Sequence, residues 1–440
     1  MIFSSLQFLV FWFFAFLISR FQKLNSPIYI GCIGLVFYSF QGVFNFFVLL
    51  YVFVITSIYS RIKKKLYFFI FLILLPLVII KYLNFILKDI FKLNFEILYL
   101  EGLVIPPGLS FISFSAIALI IYLKNNLEST KINLAYLYLF PQLIAGPIVE
   151  PKSLIPQIKK KNLVLFDNIF SGIFIFSIGI SIKILFADSI GNYIDPIFED
   201  LENHEFRIRL NALFLFSQQI FFDFNGYTLM AIGVGKTLGI NLPENFNAPY
   251  LSTSVSEFWK RWHITLSNWI KNYIYIPLGG SRNGKLKNYV NIFIAMLISG
   301  IWHGAGYNFI LWGFLHALFI FFEKVINIKI FDDKFKFIKI IYCYFVVTIL
   351  WLFFRVDNIN DIQIFFLNFS FTNIFDLSFI YFISAIFIFN LFQKYITIES
   401  LTNFYKKLNK IFIISMSFIL IATCIILSKG SSQKFIYFNF

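Results

Sequence analysis

The sequence predicts an all-α, polytopic integral membrane protein, and three observations carry that prediction. Of its 440 residues, 59% are hydrophobic and only 13% are charged, where a soluble domain carries about a quarter. Apolar runs close to the roughly 20 residues that a helical span needs recur along the whole chain. The net charge of +15 falls in short loops between those runs, as expected of a surface facing anionic lipid. No basic domain stands apart from them, so a nucleic-acid partner is not expected.

Residues 2–19 have no basic segment ahead of them and are closed by Arg20, which predicts a first transmembrane helix rather than a cleaved leader. Further runs follow at 28–41, 44–59, 66–83 and 103–122. Arg61, Lys63, Lys64 and Lys65 should face the cytoplasm, which places 84–101 outside and returns Lys124 and Lys131 inside. Lys159, Lys160 and Lys161 are again basic, so 134–149 should enter and leave by one face. Its Pro141-Gln142-Leu143-Ile144-Ala145-Gly146-Pro147 breaks a helix, which membrane depth tolerates only where backbone lines a cavity or is buried in protein. The run 167–187 then delivers Asp195, Glu199, Asp200, Glu202 and Glu205 outside. A return through 208–222 and 226–240, interrupted at Asn225-Gly226, leaves 241–287 inside. Runs at 288–301, 305–323, 337–354, 376–393 and 411–428 complete a single membrane domain over 1–440. Several are too short or too broken to cross alone.

The 64 Phe, and 30 Lys against 7 Arg, suit an AT-rich genome and carry no functional reading. Cys32, Cys343 and Cys424 are scattered in apolar runs, in neither a metal-ligand nor a disulfide spacing. Packing is the expected role of all three.

The stretch from 254 to 324 holds the chemistry. Ser254 and Glu257 fit a capping box ahead of an apolar-periodic run. At 100° per residue, Phe258, Trp262, Leu266, Trp269 and Tyr273 fall within about 80° of arc, with Lys260 and Lys271 opposite. The pattern predicts an amphipathic helix lying at the interface, apolar face toward lipid. His263 sits at the edge of the stripe, either merely packed or part of a site. Gly300-Ile301-Trp302-His303-Gly304-Ala305-Gly306 follows. An imidazole at membrane depth is costly and is a functional candidate by default, and the glycines let a backbone or a thin substrate approach it. Neutral imidazole suits a general base that strips a hydroxyl as it attacks an acyl carbonyl. The alternative is a core histidine satisfied by a neighbouring carbonyl.

Phe222-Asp223-Phe224-Asn225-Gly226-Tyr227-Thr228 forms a third polar island. Asp223 there pairs with a cation, orients a histidine or caps a half-helix, the structural roles being favoured. His204 reads as solvated, and His316, near Trp312, as packing or a supporting partner. No GxGxxG, Walker loop, HExxH or GxSxG occurs, so nucleotide hydrolysis, zinc hydrolysis and α/β-hydrolase chemistry have no support.

These residues resemble the membrane-bound O-acyltransferases, and most of all the bacterial branch with the alginate and peptidoglycan O-acetylation membrane components. The matching stretches are 106–111, 140–148, Asp223-Phe224-Asn225-Gly226-Tyr227, Pro243-Glu244-Asn245-Phe246-Asn247, Glu257-Phe258-Trp259-Lys260-Arg261-Trp262-His263, 273–282 and Trp302-His303-Gly304. Phe353-Phe354-Arg355 is a weaker late match. Together they cover about residues 100–360. Leu229 departs from the pattern, standing where relatives commonly carry an acid.

The resemblance implies a helical bowl with a central tunnel, with broken and re-entrant helices, in a bacterial plasma membrane. It implies an enzyme carrying an acyl group, most simply acetyl, from a cytoplasmic donor such as acetyl-CoA to a cell-envelope polysaccharide. No bound cofactor or metal is expected, and a separate extracytoplasmic acyltransferase is the implied partner. His303 matches the catalytic position and His263 the second, supporting or catalytic one. Asp223, Asn225, Trp302 and Trp262 would support them, while Lys260, Arg261 and Arg282 would attract the donor's phosphates. D-alanyl transfer to teichoic acid is the alternative within the family. Outside it stands a transporter using His303 as a proton relay, against which the lack of inverted repeats in the sequence counts.

Overall fold

The computed structural model describes residues 3–20, 26–93, 105–160, 166–326, 333–356, 358–369, 377–428 and 435–436. The regular structure is helical throughout, with no strand among the described residues. The loop expected over 84–101 lies outside the described residues from 94 onward, as does Lys161. Among the described residues five helices are long and apolar enough to cross a membrane, or six if the bent pair Ile380–Ile396 and Ile398–Lys407 forms one span. Other apolar runs form shorter helices of 10–17 residues, below the length that spans alone.

The chain divides into two compact units. The first comprises Met1–Ser181, Gly226–Pro243 and Leu408–Asn439. It contains α1 (Leu6–Ser19), α2 (Pro27–Ser39), α3 (Val43–Ile62), α4 (Leu66–Leu77), α5 (Leu109–Leu123), α6 (Thr130–Leu137), α7 (Phe140–Leu143), α8 (Pro151–Lys159) and α9 (Phe166–Ser181). Phenylalanine makes its core: the Phe8 ring lies 6.0 Å from Phe37, 6.4 Å from Phe140 and 6.3 Å from Phe176, within the range of favourable aromatic pairs. The stretch after α6 is broken, as its prolines and glycine predict. One turn of helix gives way to irregular backbone, and residues 140–149 are all buried in protein. Gln142 donates to the Tyr136 carbonyl (2.7 Å) and the Tyr136 hydroxyl to the Val149 carbonyl (2.7 Å), satisfying groups that lipid could not.

The second unit comprises Ile182–Asn225 and Glu244–Lys407 among the described residues. Its helices are α10 (Ser189–Glu199), α11 (Phe206–Thr237), α12 (Val255–Arg261), α13 (Ile264–Ile270), α14 (Lys285–His303), α15 (Tyr307–Val325), α16 (Lys336–Arg355), α17 (Ile359–Phe365), α18 (Leu377–Phe392) and α19 (Ile398–Lys407). The last residues of α11, from 226 onward, belong to the first unit, to which α20 (Lys410–Leu427) also returns, packing on α9.

Two sequence expectations fail. The interruption at Asn225-Gly226 does not occur, because α11 runs unbroken through it. Gly226 serves close packing instead: a Cβ at Gly179 on α9 would stand 2.7 Å from the Gly226 carbonyl oxygen. The helix expected over 254–273 is two short ones, α12 and α13, parted at Trp262 and His263. His263 adopts φ 41°, a left-handed conformation that a continuing helix cannot contain. The aromatic stripe faces protein rather than lipid, since Phe258, Trp262, Leu266 and Trp269 are all buried. The capping box is half formed. Ser254 Oγ accepts from the Glu257 N–H (3.0 Å), whereas the Glu257 carboxylate takes the N–H and hydroxyl of Thr253.

Candidate active site

α14 and α15 form an antiparallel hairpin; Trp302 and His303 close α14 and Gly304 opens the turn. Missing side chains let the helices close up. A Cβ at Gly300 would sit 2.3 Å from the Phe309 carbonyl oxygen, and one at Gly313 2.4 Å from that of Met296. His303, the last residue of α14, is 3% exposed. Its ring centroid lies 4.7 Å from Trp302, 5.1 Å from Trp312 and 5.1 Å from Phe354 of α16. His263 is fully buried and meets Phe224 of α11 at 4.6 Å and Trp302 at 6.1 Å. Trp302 therefore packs against both histidines, and the 222–228 motif joins them through the contact of Phe224 with His263.

Asn245 holds the backbone around His263. Its Oδ1 accepts from the Thr265 N–H (3.2 Å) and the Thr265 hydroxyl (2.6 Å), and lies 3.4 Å from His263 Nδ1. Burial pushes the His263 imidazole down to about 3, because a charged ring loses its hydration there. It is therefore neutral near pH 7. Trp262 is buried and packs on Phe246 (5.0 Å) and Trp351 (5.0 Å).

Asp223 pairs with Lys183 (2.7 Å), which also binds Asp188 (2.5 Å), and all three side chains are buried. Lys183 lies on a π-helical segment, Ile182–Asp188, a local widening of the kind often found at functional positions. Phe224, the residue after Asp223, makes the contact to His263. Asn225 is buried beside them in sequence. Sequence reasoning offered a cation partner for Asp223 but missed Lys183 and Asp188. Two opposite charges five residues apart in an apolar run are the signal for them. It also missed Glu323, whose carboxylate accepts from the N–H groups of Val255 (2.6 Å) and Ser256 (3.2 Å) at the start of α12, where an anion suits the helix dipole.

The predicted cations separate. Lys260 lines a cavity of about 290 Å³ together with Lys271, Lys324, Trp259, Ser299 and Ile320. Arg261 is engaged by Glu257 (2.7 Å) and by the Asn247 carbonyl (3.3 Å). Arg282 stands exposed in the turn after α13 and does not line the cavity. Ser299 is four residues before His303, so cavity and ring share a face of α14. Cys343 and Cys424 are buried as packing residues, whereas Cys32 is exposed. Among the described residues no group of three His, Cys, Asp or Glu is placed to hold a metal. Neither His263 nor His303 lines the cavity itself; a buried imidazole can accept a proton from a hydroxyl brought to it.

The family model described as MBOAT, membrane-bound O-acyltransferase family, matches residues 126–360, just over half of the chain. The peptidoglycan O-acetyltransferase of Helicobacter pylori is 35% identical over 317 residues, covering 64% of this chain and 60% of that protein. The probable alginate O-acetylase of Pseudomonas aeruginosa is 35% identical over 265 residues, covering 59% and 51%. The teichoic acid D-alanyltransferase of Bacillus subtilis is 28% identical over 234 residues, covering 49% and 59%. The chain thus spans little more than half the length of the curated relatives it matches.

Proposed function

The chain belongs to the membrane-bound O-acyltransferase family, and from that premise we propose that it moves an acyl group, acetyl first, from a cytoplasmic thioester donor to a hydroxyl of a cell-envelope polysaccharide. The reading includes a bacterial plasma-membrane location and a separate extracytoplasmic acyltransferase that receives the group. Relatives named for peptidoglycan and alginate acetylation support acetyl over D-alanyl transfer, being 35% identical against 28%. The observation that carries the reading is the convergence of His303 and His263 on Trp302.

In this mechanism His303 takes the hydroxyl proton as the oxygen attacks the thioester carbonyl. The C–O bond forms, the C–S bond breaks, and the proton leaves on the thiol. His263 and Trp302 fix the ring's surroundings, with Asp223 and Asn225 anchoring the α11 segment behind them and Trp262 closing the core. Lys260, with Lys271 and Lys324, gathers the donor's phosphates, while Arg261 and Arg282 add positive potential at longer range.

The test is turnover. Purified protein in lipid nanodiscs is given labelled acetyl-CoA and a polysaccharide acceptor. Thioester consumption with label on the acceptor is the predicted outcome. Turnover confined to a D-alanyl thioester, or solute transport with no acyl donor present, would contradict it.

A further inference from the structure

A third buried histidine, His316 on α15, has no part in the mechanism above. Residues four apart share a helix face, so Lys324, Ile320, His316 and Trp312 form one line on α15, while Ala295, Ser299 and His303 form another on α14. The outer members of both lines, Lys324, Ile320, Ala295 and Ser299, line the cavity. The inner members continue past it, and Trp312 touches both imidazoles, His303 at 5.1 Å and His316 at 4.7 Å.

Trp259, a wall residue of the cavity, sets the tautomer of His316. Its indole N–H donates to His316 Nδ1 at 3.2 Å. An indole nitrogen donates and cannot accept, so Nδ1 carries the lone pair and the proton resides on Nε2. That Nε2–H has no hydrogen-bond partner among the described residues, and neither does the Trp312 indole N–H. Both side chains are 0% exposed. An unsatisfied buried donor costs about 1–3 kcal/mol. Two of them lie one helical turn apart, with Trp312 packed against both His316 and His303; a cation cannot satisfy such donors and a carbonyl oxygen can.

Building on the acyl-transfer reading, we propose that His316 is a further catalytic residue, which binds the acyl carbonyl oxygen through Nε2–H, with the Trp312 indole N–H as second donor. As the acceptor hydroxyl adds and His303 takes its proton, the carbonyl oxygen gains the negative charge that these donors hold. The oxyanion's electron pair re-forms the C=O bond as the C–S bond breaks, the negative charge leaves on the thiolate, and the thiolate receives the proton from His303. His316 keeps its own proton throughout.

Full-length protein in nanodiscs tests this with labelled acetyl-CoA, comparing wild type, His316→Leu and His316→Gln. Loss of one such donor lowers kcat by about 10²–10³, so His316→Leu should fall by that factor with KM little changed. His316→Gln, whose amide can donate, should retain more. A second readout is the infrared carbonyl band of a bound, unreactive donor analogue with CH₂ in place of the thioester sulfur. The band should shift to lower frequency in wild type and lose most of that shift in His316→Leu, which packing alone would not cause. If wild type turns over and His316→Leu matches it, or the wild-type band is unshifted, the proposal fails while acyl transfer stands. If wild type turns nothing over, the acyl-transfer reading fails and takes the proposal with it. Should His316→Leu not fold, the glutamine variant and the wild-type band decide.

Discussion

At His263 backbone and side chain make separate demands. Its φ of 41° suits asparagine far better than a β-branched residue. His263→Asn should therefore keep the α12–α13 corner and lose only the imidazole, whereas His263→Val should lose both and melt markedly lower. The ring titrates near 3 when folded against 6.5 ordinarily. Between those values the unfolded chain binds the extra proton, so stability rises with pH. Acidification from 6.5 toward 3 should destabilise the wild type, and melting of His263→Asn should depend less on pH across that window. Lys183 poses a different test. Lys183→Met strands two carboxylates and should cost about 3–5 kcal/mol, as breaking a buried ion pair does. Adding Asp223→Asn should recover part of the loss. Unchanged thermal unfolding of the single variant would show that the triad is not ionised.

At the scale of elements, the α14–α15 hairpin positions the chemistry. Gly300→Ala places a methyl group 2.3 Å from the Phe309 carbonyl oxygen, so the helices must part. Overpacking of this kind costs about 1–3 kcal/mol, and turnover should fall further than stability because His303 lies three residues on. Equal loss of both would argue that the hairpin does not set the ring. The hairpin is legible in the sequence, because Gly304 and Gly306 punctuate an apolar run that is otherwise continuous. The α12–α13 corner is not. Phe258, Trp262 and Leu266 keep a helical spacing across a break that packing around His263 imposes, and a period cannot report which surface its stripe meets. The continuity of α11 is hidden for the converse reason, since Asn225-Gly226 looks like a breaker until α9 is known to lie against it.

For the whole molecule, the membrane class follows from charge content and run length, since a bilayer tolerates little else. The division into two units does not, because helices apolar on every side carry no stripe to say which face packs. Every candidate residue, from Asp223 to His303, belongs to the second unit. The motifs locate the two histidines by themselves, yet their meeting at Trp302 and the Lys183 triad depend on contacts between distant segments. The most direct measurement is glycan acetylation in cells carrying His303→Ala at wild-type protein level. The account predicts a loss of about 10²–10⁴ in rate, as for a missing general base, and acetylation at the wild-type rate would contradict it.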